Sequence, residues 1–170
     1  CLLSGSAHEA ESMADELNSL NRERQEIEQD MLAGILADTP QTLPEHQTTV
    51  CVYRPGFHQG VVGIVASRLK ERFYRPAFVF ASDDEGNYRG SGRSISGIHL
   101  RDVLDAISKR APDIILKFGG HAMAAGLTLR QGSLKTFETL FEDIVSAQAD
   151  ENILAQTYLT DGSLAATDIT

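Results

Sequence analysis

The chain has no tryptophan and few aromatic side chains of any kind, seven Phe and four Tyr in 170 residues. A surface that grips nucleic acid mainly by stacking bases on exposed rings is therefore not expected. Cysteine is scarce too, with only Cys1 and Cys51. Two cysteines cannot build a disulfide scaffold, and they lack zinc-ligand spacing, so a reducing cytoplasm is expected. Cys51 lies in an apolar run and reads as a small core residue rather than a nucleophile. No apolar run approaches the length of a membrane span, and no basic, apolar leader is present, so no membrane partner is expected. No glycine-rich run ends in Gly-Lys-Ser/Thr, which excludes the P-loop. His8, His46, His58, His99 and His121 lack the close Asp/His clustering of a two-metal centre, so no metal site is expected within this chain. Internal repeats and low-complexity tracts are absent.

What is present is an uneven charge. The net charge is −9. Residues 1–50 carry 2 basic and 10 acidic side chains, and residues 131–170 carry 1 and 7. Residues 51–130 carry 12 and 7, a local excess of positive charge. A positive field confined within an acidic protein suits a held polyanion better than indiscriminate coating of DNA. The length allows one domain with a proper core and a small appendage. The chain opens on Cys1 rather than Met, runs straight into a helical pattern, and ends on Asp168-Ile169-Thr170 without a clear stop. It is expected to be a piece of a longer protein.

Ser6-Ala7-His8-Glu9 fits a capping box. Met13, Leu17, Leu20, Ile27, Met31 and Ile35 then recur at helical spacing, while Arg22/Glu26 and Arg24/Glu28 can pair on the solvated face. The pattern predicts one long acidic helix over 1–38 that leaves the core. Pro40 and Pro44 mark a linker over 39–46. Thr48 to Tyr53 reads as a strand, Gly60 to Phe73 as a helix, and Ala77 to Ala81 as a strand after Pro76. Asp83 to Asn87 is a turn, and Tyr88 to Ser91 completes a hairpin. Leu100 to Arg110 is a helix, Leu127 to Arg130 a short strand, and Ser133 caps a last amphipathic helix carrying Phe137, Leu140, Phe141, Ile144 and Val145. Residues 150–170 lack a strong period. Strands alternating with helices predict an α/β fold, a small mixed sheet flanked by helices and preceded by the long helix.

Two glycine-rich stretches carry the candidate chemistry: Gly90-Ser91-Gly92-Arg93-Ser94 and Phe118-Gly119-Gly120-His121-Ala122-Met123-Ala124-Ala125-Gly126. Read as loops, each sets bare backbone beside one side chain able to carry positive charge. Glycine lets N–H groups approach an anion, and the Arg93 fork matches two phosphate oxygens. Ser91 and Ser94 add hydroxyls. His121 suits a phosphate ligand or proton donor near neutral pH. A third stretch, His58-Gln59-Gly60-Val61-Val62-Gly63, leads into a helix whose N-terminus suits phosphate. Taken alone, Gly63 there reads as a packing glycine and His58 as a turn cap.

In order along the chain, His58 to Arg68, Gly90 to Ser94 and Gly119 to Gly126 closely resemble the RecJ branch of the DHH phosphoesterases. The resemblance covers roughly 47–149 as the DHH-associated C-terminal domain. Residues 1–38 resemble a helix connecting it to a separate catalytic lobe, and 150–170 resemble a tail or the approach to an OB-fold domain. The resemblance implies part of a 5′→3′ single-stranded-DNA exonuclease of DNA repair and recombination in the bacterial cytoplasm. It implies Mn²⁺ or Mg²⁺ bound by that other lobe, and no cleavage by this piece alone. The implied partners are single-stranded DNA with a 5′-phosphate, a single-strand-binding protein and a helicase. Ser91 and Arg93 match positions that hold the 5′-phosphate. Gly119, Gly120 and His121 match the stretch facing the scissile bond, His121 as an assisting catalytic residue. The remaining candidate binding residues are His58, Gly60, Gly92 and Ser94. Two alternatives stay open: a DHH-type phosphodiesterase for short oligonucleotides or cyclic dinucleotides, and a non-catalytic nucleotide-sensing module.

Overall fold

Ser6 opens the first helix. Its hydroxyl accepts from the Glu9 N–H at 3.5 Å, while Ser4 Oγ donates to the Glu9 carboxylate at 2.7 Å and accepts the Ser6 N–H. The expected capping box thus closes through Ser4. The structure is a computed structural model, and it describes residues 2–39, 41–44, 46–157 and 162.

Helix α1 (Ala7–Asp38) buries Met31 and Ile35 and half-buries Ile27. Met13, Leu17 and Leu20 stay exposed, so the N-terminal part of the helix does leave the core. Two expected ion pairs do not form. Arg22 and Arg24 make no salt bridge among the described residues, and Glu28 instead takes Arg68 Nε at 3.0 Å, tying α1 to the next helix. An inter-helix partner competes successfully because same-helix pairs at an exposed face are worth little.

Strand β1 (Val50–Tyr53), helix α2 (Val62–Phe73) and strand β2 (Ala77–Ser82) form a crossover unit, with β1 and β2 parallel. Strand β3 (Tyr88–Arg93) returns antiparallel through the predicted turn, where Gly86 has φ +81. Then follow α3 (Leu100–Arg110), β4 (Ile115–Gly120), β5 (Ala124–Leu129), α4 (Leu134–Ser146) and α5 (Glu151–Leu154). The sheet order is β1-β2-β3-β5-β4. This is the predicted mixed sheet between helices.

Each face of the sheet carries its own core. Val50, Ala77, Val79 and Ala81 pack under α2 and the end of α1. Phe78, Phe80, Leu127 and Leu129 pack under α3 and α4. Strand β2 is covered on both sides, which is why Ala77 to Ala81 is a continuous apolar run. On the second face Phe78 meets Phe137 and Phe141 edge-on at 5.4 and 5.2 Å.

Four expectations need correction. The two glycine-rich stretches are strands rather than loops: β3 runs through Arg93, and Gly119–Gly126 spans the end of β4, its hairpin and the start of β5. Strand β4 has no counterpart in the sequence reading. Glycine erases the period-2 signal, and a register shift between Ile115 and Lys117 interrupts it further. Ser133 stands at the N-cap of α4 without a side-chain cap bond. The strand expected from Thr48 pairs from Val50; Thr48 and Thr49 instead give both N–H groups and both hydroxyls to the Glu142 carboxylate of α4. Asp150 caps α5 by accepting the Ile153 N–H at 2.8 Å. Residues 158–161 and 163–170 lie outside the described residues, and most of the expected approach to a further domain lies there. No described helix is long and apolar enough to cross a membrane.

Candidate nucleic-acid interface

Helix α2 lies over β2 and β3. Beyond it, toward β5 and β4, that face is open, and the register writes its floor in three rows. Arg93 stands opposite Ala124. Ser91 stands opposite Gly126, which stands opposite Gly119. Arg89 stands opposite Thr128, which stands opposite Lys117. Cross-strand partners share a face, so these side chains rise together. The lower two rows and the start of α2 enclose a groove of about 570 Å³. Gln59 pins its edge by donating to Ser82 O at 3.0 Å.

The glycines divide into two kinds. A side-chain carbon at Gly90 would strike the Phe80 ring, and one at Gly92 would strike the Phe78 ring. Both face the α3/α4 core and make room for aromatic rings. At Gly119 nothing stands within 4 Å, and at Gly126 only Gly90 O, at 3.7 Å. These two leave open floor. Gly120 has φ +142, and a side-chain carbon there would run into the backbone of Ala124 and Ala125, so it is a turn glycine.

Arg93 is a charge without a carboxylate partner among the described residues. It is half-buried, and Nη1 donates to Gly92 O at 2.9 Å and reaches Ser91 Oγ at 3.5 Å. Gly63 of α2 makes this possible: a side-chain carbon there would come within 3.0 Å of Ser91 Oγ and 3.1 Å of Arg93 Nη2. The helix therefore lies directly on the guanidinium. A cation screened from water and unpaired by the protein is a strong attractor for an external anion.

The predicted residues separate on this geometry. Ser91, Gly119 and Gly60 line the groove; Arg93 lies outside that lining, next to Ser91, and His121 follows β4 with an exposed side chain and its N–H on Ala124 O at 2.8 Å. Ser94 is not at the groove; it is buried and its hydroxyl donates to Ile98 O at 2.7 Å. Gly92 turns toward Phe78. His58 takes the Gly60 N–H on Nδ1 at 3.1 Å and lies beside Leu20, Glu23 and Arg24 of α1, in a separate cleft. It is a turn cap, as its motif alone had indicated. The sequence reading missed Arg89, Lys117 and Thr128. The signal was there in Arg89-Gly90-Ser91-Gly92-Arg93, where polar residues and glycines alternate with the period of a strand. Cys51 plays no part: burial, then the Glu138 and Glu142 carboxylates, push its thiol well above the ordinary range.

Residues 47–147 match the DHHA1 domain family. The chain belongs to it. This DHHA1 domain and its flanking helix are 43% identical over 174 residues to the single-stranded-DNA-specific exonuclease RecJ of Salmonella typhimurium, covering 99% of the chain and 30% of that relative. The RecJ of Bacillus subtilis is 39% identical over 161 residues, covering 94% of the chain and 19% of that protein. The crystal structure of RecJ with Mg²⁺ from Thermus thermophilus superposes with a TM-score of 0.73 at 31% identity, over 88% of the chain and 22% of that structure. The chain thus spans less than a third of the length of these relatives. Among the described residues no three His, Cys, Asp or Glu side chains cluster so as to hold a metal.

Proposed function

We propose that this DHHA1 domain is the strand-holding part of a 5′→3′ exonuclease acting on single-stranded DNA. The observation that carries the reading is Arg93. Its guanidinium lies against Gly63 of α2, beside Ser91 and without a carboxylate partner among the described residues. Such a group takes a terminal phosphate, whose extra negative charge distinguishes a strand's end from its interior. Fixing that end fixes the polarity of digestion. Gly119 and Gly126 let the sugar–phosphate chain approach the sheet, and His121 stands beyond the same edge to donate toward a phosphate oxygen. The relatives' names, and the Mg²⁺ and Mn²⁺ in their structures, support a metal-dependent hydrolase whose ions are held outside this domain. This domain alone then cleaves nothing.

The test uses the longer protein that carries the domain. Arg93→Ala is expected to shrink the preference for a 5′-phosphate over a 5′-hydroxyl end; an unchanged preference refutes the assignment. His121→Ala is expected to lower turnover far more than binding, and equal losses would remove its role in the chemistry. Binding to cyclic dinucleotides in preference to 5′-phosphorylated strands would favour a phosphodiesterase for small substrates.

A further inference from the structure

We propose that Arg89 and Lys117 form a second anion subsite, so that the groove takes a chain carrying at least two phosphates rather than a mononucleotide. This rests on the reading of Ser91 and Arg93 as the site of the terminal phosphate. Arg89 and Lys117 are both opposite Thr128, one from β3 and one from β4. They therefore flank it on the groove face, their backbones about 10 Å apart by strand spacing. Both side chains are exposed. A phosphate above Thr128 can take one cation from each side.

The two cations are held differently. Asp83 Oδ2 lies 3.7 Å from Arg89 Nε, and Asp83 is itself fixed by the Glu85 and Asn87 N–H groups on Oδ1 at 3.0 and 2.9 Å. The hairpin turn thus aims Arg89 along the sheet. Lys117 has no carboxylate partner among the described residues, so its charge is available.

Distance separates this subsite from the first. Arg89 and Arg93 are four residues apart on one strand, about 13 Å along it. One phosphate cannot touch both. Between them lies the row of Ser91, Gly126 and Gly119; Ser91 sits under α2, while Gly126 and Gly119 leave open floor for a connecting sugar. Cations at both ends of a bare floor fit a polymer lying along the strands.

The test compares two probes on the full chain: thymidine 5′-monophosphate and a 5′-phosphorylated thymidine hexamer, titrated across a range of salt. Arg89→Gln and Lys117→Gln are each expected to make the hexamer's log K against log salt shallower by about 0.7, the share of one phosphate contact on a single strand. Neither should change affinity for the monophosphate, and Lys117→Arg should restore the slope. Arg93→Gln should weaken both probes. If Arg93→Gln weakens both but the Arg89 and Lys117 variants leave the hexamer slope unaltered, the second subsite is overturned while the terminal-phosphate reading stands. If Arg93→Gln alters neither, or the wild-type chain binds neither probe, both readings fall together.

Discussion

Gly92 stands directly opposite Phe78 in the β2–β3 ladder, and the Phe78 ring fills the place a side chain at 92 would take. Gly90 and Phe80 repeat the arrangement two residues away. The glycines beside Ser91 therefore serve the core on one side of β3, while the residues between them serve the groove on the other.

Gly92→Ala should accordingly destabilise the domain by about 1–3 kcal/mol, the usual range for overpacking a core. For a chain of this length that lowers the melting temperature by about 2–4 °C per kcal/mol. Gly119→Ala, whose added carbon meets nothing, should leave stability unchanged and weaken binding of a 5′-phosphorylated strand. Thermal melts and a binding titration read both. Equal melting of Gly92→Ala and the wild type would disprove the division of the glycines.

Gly63→Ala should separate stability from binding. The added carbon would press on Ser91 Oγ and the Arg93 guanidinium, both ends of movable side chains. Alanine also suits a helix better than glycine by up to about 1 kcal/mol. Stability is expected to hold or rise, while affinity for a 5′-phosphorylated strand falls several-fold. A variant that binds normally would show that the guanidinium does not need its place against α2.

Cys51 should give the fold an alkaline weakness. Its thiol is held well above the ordinary value of 9.0. On raising the pH the unfolded chain loses this proton first, so the folded state binds more protons and stability falls above about pH 9. Cys51→Ala should flatten that limb of the stability–pH curve, measured by urea unfolding at constant salt. Wild type and variant losing stability in parallel between pH 8 and 10 would rule the thiol out as the cause.

The helices were legible because their signals are local. Ser6 and the stripe from Met13 to Ile35, the spacing of Val62 to Phe73, and Phe137 to Val145 each state an amphipathic face within a few turns. The site was legible in part. Ser91 and Arg93 stand out in the sequence as a hydroxyl and a guanidinium among small residues, a chemical signal that needs no fold, and the structure brings the two side chains together. What failed was the backbone state around them. Ser94 looks like Ser91 in sequence, yet it falls on the opposite side and is spent on Ile98 O. Lys117 could not be placed beside Arg89 without the β5 strand that lies between them. Residues missed in this way are those whose meaning depends on non-local register.

The wall of the groove is also the chain's only path from β1 to its parallel neighbour β2. A crossover of this kind is fastened at one end to the edge strand β1 and at the other to the buried strand β2, so it cannot swing aside without unzipping the sheet that supports it. The receptacle is then rigid by topology. Amide exchange in α2 should track global unfolding rather than a local opening, and whatever admits or releases a strand must move against this wall instead of through it.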